Sequence, residues 1–182
     1  YHSDAHLHYK PLAMTNGWES VQWIDGSDPK KGNRQALEAL QNGMTALCFS
    51  KPTDLKVLLK DILIQHIRVD FENYDIGAIR EFEQVVHQRQ LKLDDIQGAL
   101  HGQEEKGILP NYTYHTVFVN DIYQAIEEGQ NNSQYIFTIG SDFFKEIAKM
   151  RAFRSLFENQ HQALPYILAQ SSLSNKDSLQ PY

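Results

Sequence analysis

The stretch VQWIDGSDPKKGNRQALEALQNGMTALCFS, running from Val21 to Ser50, decides the fold class. Val21-Gln-Trp-Ile24 reads as a short strand. Asp28 stands where a helix N-cap is wanted, because its carboxylate can accept the orphan N–H groups of the first turn. Pro29 suits the first helical position, where its missing N–H would be unpaired anyway. Asn33, Ala36, Leu37 and Leu40 recur at helical spacing, and Asn42-Gly43 reads as the stop. Thr45 to Phe49 is a largely apolar run of strand length, as expected of a strand buried on both faces. The sum is a β–α–β unit with short connections.

The pattern repeats downstream. Thr53 is placed to cap a short helix carrying Leu55, Leu58 and Leu59. A strand is expected within Ile62 to Phe71, and Ile79, Phe82, Val85 and Val86 line one face of a further helix. More strands are expected near Ile96 to Leu100, Tyr114 to Val119, Tyr135 to Ile139 and Tyr166 to Ala169. After Gly140, Ser141 or Asp142 can cap a helix whose Phe143, Ile147, Met150, Phe153 and Phe157 form a core-facing stripe. Lys149, Arg151 and Arg154 lie off that stripe and read as a solvated face, with a phosphate or an acidic partner surface as the functional alternative. Strands and helices that alternate in this way, with buried strands, predict a parallel α/β sheet or barrel. A complete (β/α)8 barrel takes about 250 residues. A chain of 182 residues is therefore expected to form an incomplete or compressed one.

Composition bounds the function. Hydrophobic content of 41% and charged content of 22% are those of a globular protein with one substantial core. A net charge of −6 argues against a broad nucleic-acid or anionic-membrane footprint. No apolar run approaches the ~18 residues of a membrane span. The single cysteine, Cys48, excludes an internal disulfide framework and a Cys-only metal cluster, and its apolar setting predicts an inert thiol. The first residue is Tyr, so the chain is expected to be a piece of something longer. Gly-x-Gly-x-x-Gly, P-loop, Gly-x-Ser-x-Gly and His-Glu-x-x-His patterns do not occur. Asp94-Asp95 and Glu104-Glu105 are adjacent pairs that diverge in any regular structure and read as exposed charge. Trp18 and Trp23, flanking the first strand, read as core or interface.

Gly17-Trp-Glu-Ser-Val-Gln-Trp-Ile-Asp25, Asp28-Pro29 through Asn33, and Leu40-Gln-Asn-Gly-Met-Thr-Ala-Leu47 resemble the acyl-CoA mutases that use adenosylcobalamin. There the pattern is Gly-Trp-x-x-x-Gln, a capped helix and Asn-Gly-x-Thr-x-Leu. Phe143-Phe-Lys-Glu-Ile-Ala-Lys-Met-Arg-Ala152 is similar to the same family's Phe-x-Glu-Ile-Ala-Lys-x-Arg-Ala helix. Within the family the chain resembles the small subunit of heterodimeric methylmalonyl-CoA mutase. The large subunit carries Arg-Gln-Tyr-Ala-Gly after the first strand, whereas Val21-Gln-Trp-Ile-Asp25 lacks the Arg, Tyr and Gly. The resemblance implies a barrel kept as a scaffold and a chemistry lost, with adenosylcobalamin and the acyl-CoA substrate on the large subunit. It also implies a cytoplasmic, bacterial enzyme. Between Tyr123 and Gln134 the family has a longer segment, so a helix or part of one is expected to be missing. The chain stops at Gln180-Pro-Tyr182, before such a barrel would close.

Asp4-Ala-His6-Leu-His8-Tyr9 looks like two other things. Asp-x-His-x-His resembles the metal-binding strand of a barrel hydrolase, but no apolar strand precedes it to carry both imidazoles into a barrel mouth. His66, His87, His101, His115 and His161 offer further imidazoles, none of which ends a clear strand beside a carboxylate. The loop that offers a histidine to cobalamin would need Gly at Tyr9, so that backbone could approach the corrin. Residues 1–16 are therefore expected to form an extended arm, with residues 17–182 as the barrel domain. No catalytic, cofactor-binding or metal-ligating residue is assigned. The alternatives are a catalytic mutase chain whose active residues lie outside this sequence, and a metal-dependent hydrolase built on Asp4, His6 and His8.

Overall fold

The first β–α–β unit forms as its local chemistry dictates. Strand β1 (Val21–Asp25) leads into helix α1 (Pro29–Gln41), where the Asp28 carboxylate accepts the Lys31 N–H at 3.1 Å. Past the helix Gly43 adopts φ +89°, a left-handed conformation that glycine enters without a Cβ penalty. Strand β2 (Ala46–Ser50) then runs parallel to β1, with Trp23 opposite Cys48. A computed structural model describes residues 19–101, 109–129 and 133–171.

The same device recurs along the chain. Helix α2 (Leu55–Leu58), strand β3 (Arg68–Glu72), helix α3 (Ile76–Gln88) and strand β4 (Gly98–His101) follow in order. Strands β5 (Tyr112–Thr113) and β6 (His115–Phe118), helix α4 (Ile122–Glu128), strand β7 (Ser133–Ile139), helix α5 (Phe143–His161) and strand β8 (Tyr166–Ser171) complete the described chain. Asp54, Asp75, Asp121 and Asp142 cap α2, α3, α4 and α5 as Asp28 caps α1. The Thr53 expected to cap α2 is otherwise engaged: its hydroxyl donates to the Gly26 carbonyl at 2.9 Å, tying the β1 end to the β2 end. Asp54 takes over the capping at φ +41°.

All strand pairs are parallel, and the order follows the sequence: β1-β2-β3-β4-β5 in one sheet and β6-β7-β8 in a second. The strands expected near 21–24, 45–49 and 135–139 are therefore all parallel but divided between two sheets, where a single sheet or barrel was expected. The break falls at Tyr114. Tyr112 and Tyr114 pack towards α1–α3, while His115 bonds Ser133 on the face from which Tyr135 packs against α5. Two successive residues facing the same layer interrupt the period-2 alternation of a strand, so the ladder cannot run through. The two sheets are not closed into a barrel, and an α/β fold with parallel sheets is what the chain forms.

Helices cover one face of each sheet. Leu47, Phe49, Val69, Phe71 and Leu100 bury against α1–α3, with Phe71 edge-on to Phe82 at 5.0 Å. Tyr135 and Phe137 bury against Phe153 and Phe157 of α5, at centroid distances of 4.8 to 5.2 Å. Apart from the tilted Tyr135–Phe153 pair these are edge-to-face arrangements, a favoured geometry of aromatic pairs.

The apolar stripe predicted for α5 is only half realised. Phe153 and Phe157 are buried and Met150 half-buried, but Phe143 is 65% exposed. At its first turn α5 turns Glu146 inward instead, and that carboxylate pairs with Lys149 at 2.7 Å. Between Tyr123 and Gln134, where a helix or part of one was expected to be missing, the seven-residue α4 stands. Among the described residues no helix is long and apolar enough to cross a membrane.

Candidate functional site

Strand alternation separates a helix-covered face from an opposite face. Because paired residues of parallel strands point the same way, the register Trp23, Cys48 and Asp70 defines the opposite face of β1–β3, with Arg68 two residues before Asp70. His101, opposite Glu72, joins from β4. In the second sheet Gln134, Ile136, Tyr166 and Leu168 lie on the equivalent face. Arg68, Asp70, His101 and Gln134 are all buried, an unusual concentration of polar groups for a sheet interior.

Arg68, Asp70 and His101 form one connected cluster. Arg68 Nε lies 2.9 Å from Asp70 Oδ1, and the same oxygen accepts the Ala99 backbone N–H at 2.7 Å. His101 Nε2 is 3.6 Å from Asp70 Oδ2, and its ring lies 5.6 Å from the Trp23 ring. The Arg68 guanidinium sits over the Tyr166 ring at 3.9 Å, a cation–π contact that crosses from the first sheet to the second. The Tyr166 hydroxyl in turn donates to Glu19 at 3.4 Å, just ahead of β1. One carboxylate thus joins β3 to β4, and one guanidinium joins both to β8. These contacts link the two sheets where no backbone ladder does.

Electrostatics keep the neighbouring nucleophiles quiet. Burial, with the Asp70 and Glu72 charges behind it, pushes the Cys48 thiol far above its ordinary value. Burial does the same to the Tyr166 phenol, against the pull of Arg68. A thiolate is the reactive form of cysteine, so Cys48 is inert. His101 beside Asp70 has the composition of a base held by an orienting carboxylate. No activated nucleophile accompanies it among the described residues. Among the described residues Arg68 Nη2, His101 Nδ1 and both polar atoms of the Gln134 amide have no hydrogen-bond partner. The chemistry that this cluster supports is mutual charge compensation.

Sequence reasoning missed the cluster. His101 does end a strand beside a carboxylate, which corrects the expectation that no histidine does. The available signal was Arg68-Val-Asp70-Phe-Glu72, polar residues at every second place in an otherwise apolar strand. Trp23 stands at the cluster, 37% exposed, whereas Trp18 lies outside the described residues. Asp4, His6 and His8, and with them the hydrolase motif and the 1–16 arm, also lie outside the described residues. His66 and His87 are exposed, His115 bonds the Ser133 hydroxyl at 2.9 Å, and His161 stacks on Phe157 at 4.3 Å. Among the described residues no group of three or more His, Cys, Asp and Glu is placed to hold a metal ion.

Of the basic trio, Lys149 is engaged by Glu146, Arg151 is exposed and Arg154 is half-buried. Asp94 and Asp95 are exposed as expected, at the rim of a groove of about 420 Å³ shared with Gln97, Asn111 and Tyr112. A second groove of about 300 Å³ runs along β6 and α4 between His115 and Glu128. Neither groove includes Arg68, Asp70 or His101. Compared with protein-family models and with curated proteins, the chain matches none.

Proposed function

We propose that this chain is the small, non-catalytic subunit of an adenosylcobalamin-dependent methylmalonyl-CoA mutase. In this reading residues 17–182 are an incomplete (β/α)8-type scaffold, preceded by an arm at 1–16. The assembly exchanges a hydrogen and a carbonyl-CoA group on adjacent carbons, interconverting methylmalonyl-CoA and succinyl-CoA. Parallel strands in sequential order, with helices over one face, are the arrangement from which such barrels are built, and they support the reading. So do the two sequence resemblances, one on β1–α1–β2 and one on α5.

The observation that supports the non-catalytic half of the proposal is the Arg68–Asp70–His101 cluster on the opposite face. A barrel that threads an acyl-CoA along its axis needs that face open and lined with groups free to orient a thioester. Here Arg68, Asp70 and His101 are buried and turned on each other, and Tyr166 lies against Arg68. In this reading the cofactor sits on the partner chain and no step of the reaction runs through residues of this one; Tyr9, standing where a cobalamin loop needs glycine, supports it. The test is reconstitution with the cobalamin-binding large subunit of the same organism. Mutase turnover is expected from the pair, and none from this chain alone. Turnover by this chain alone overturns the proposal in favour of a catalytic mutase chain.

A further inference from the structure

Among the described residues strand β6 is paired on one side only: β7 lies beside it, and no strand is bonded to its other edge. Successive residues of a parallel strand send their backbone groups to alternate sides. The N–H of Val119, just past β6, donates to the Ile136 carbonyl of β7 at 2.9 Å. His115 and Val117 share its phase and face β7, so Thr116 and Phe118 direct their backbone groups to the other edge. The Asn120 N–H takes up the Phe118 carbonyl at 3.1 Å. The Thr116 N–H, the Thr116 carbonyl and the Phe118 N–H are left along that edge. The groove of about 300 Å³ between β6 and α4 runs beside it, lined by residues of both strand faces, Thr116 and Val117 among them. Asp121, Gln124 and Glu128, three and four residues apart on one side of α4, form its other wall.

We propose that this edge takes up an extended peptide segment of a partner protein as an added strand, one that alternates basic and apolar side chains. It does so whether or not the chain is a mutase subunit. The backbone sets the class of partner, because a row of N–H and carbonyl groups at strand spacing is met in full by another extended backbone. The edge is also unprotected. His115-Thr-Val-Phe118 carries neither the Pro nor the Lys with which exposed edges are ordinarily blunted. Charge sets the first half of the side-chain pattern. Asp121 and Glu128 both line the groove and are exposed, while its one histidine, His115, is engaged by the Ser133 hydroxyl at 2.9 Å. Each acid already accepts one hydrogen bond from Gln124, and a carboxylate has capacity for more. Cationic side chains on the α4 side of an added strand would meet both acids. The other half follows from alternation, since the intervening side chains turn to the opposite face, where Phe118 stands 63% exposed.

The experiment titrates the nitrogen-15-labelled chain with the peptide acetyl-Val-Lys-Val-Lys-Val-Lys-amide and follows the amide resonances. Those of Thr116 and Phe118 should move saturably and exchange with solvent at least about tenfold more slowly, while the Val117 N–H, which faces β7, changes least. The same peptide N-methylated at every residue, and its Glu-for-Lys counterpart, should each bind at least about tenfold more weakly. Thr116→Pro removes an edge N–H without touching the β6–β7 ladder, so it should also weaken binding at least about tenfold while the β7 resonances stay in place. Asp121→Asn with Glu128→Gln keeps the α4 cap and should erase the preference for Lys over Glu. No movement of Thr116 or Phe118 at a peptide concentration of about 1 mM overturns the proposal. So does equal binding of the N-methylated peptide, which would make the contact one of side chains alone, and so does a Lys preference that survives in the double variant. A free chain that dimerises with Thr116 and Phe118 already protected, and that Thr116→Pro returns to monomer, makes the occupant a second copy and overturns it as well.

Discussion

Replacing Asp70 with alanine should expose the cost of the polar cluster. Asp70 is fully buried and serves three groups at once: Arg68 at 2.9 Å, His101 at 3.6 Å and the Ala99 N–H at 2.7 Å. Asp70→Ala strands the Arg68 charge in the interior, and removing one partner of a buried pair costs about 3–5 kcal/mol. The Ala99 N–H also loses its acceptor, which by itself is worth about 1–3 kcal/mol. The two costs overlap because one carboxylate oxygen serves both, so the expected loss is about 4 kcal/mol, within the 3–5 kcal/mol range for breaking a buried pair. That is a large fraction of the ~5–15 kcal/mol by which domains are stable.

Urea unfolding followed by circular dichroism is the assay. With a slope of about 2 kcal/mol per molar, the midpoint should fall by about 2 M. The triple variant Arg68→Met, Asp70→Leu, His101→Phe removes the stranded charge but still leaves the Ala99 N–H without its acceptor, so it should recover most of the loss and lie within about 1–3 kcal/mol of wild type. A loss below about 1 kcal/mol for Asp70→Ala refutes the fastening role, because changes of that size occur at ordinary surface sites.

Three other outcomes are expected. Gly98→Ala should destabilise by about 3 kcal/mol or more, read as the urea midpoint, because its Cβ would enter the van der Waals shell of the Val69 carbonyl and the Tyr112 ring. Cys48 should resist a thiol reagent such as Ellman's in the native state at pH 8 and react fully in guanidinium chloride, since burial raises its pKa and blocks access. The Lys149 hydrogen bond holds the Glu146 carboxyl below the ordinary carboxylate range. Its contribution is present above that range and lost as pH falls through the depressed value. The stability gap between wild type and Lys149→Met should therefore narrow on acidification, measured by urea unfolding at neutral pH and in acid.

What the sequence told about the fold was local. Asp28-Pro29 and Asn42-Gly43 carry their own capping and turn chemistry, and α1 begins and ends where they place it. The apolar run at Thr45–Phe49 needs burial on both faces, which only a covered parallel strand supplies. Non-local features were not legible. In α5 apolar residues stand on more than one side, at 143, 144, 147, 150, 153, 156 and 157, so packing against β7 decides which go in. The change of phase at Tyr114 depends on its hydroxyl reaching Leu109 and on His115 reaching Ser133. His101 and Asp70 are 31 positions apart, and only the parallel register of β3 and β4 brings them together. Arg68 meets Tyr166 across nearly one hundred residues, a contact that no window-based reading contains.

The central claim is that this chain's inward-facing polar groups hold its own sheets together rather than a substrate. Its most direct test is titration of the isolated chain, by calorimetry, with methylmalonyl-CoA and with adenosylcobalamin. The account predicts no saturable heat for either ligand. Saturable binding of methylmalonyl-CoA that is abolished by Arg68→Met would contradict it, because Arg68 would then be serving a ligand and not Asp70 and Tyr166.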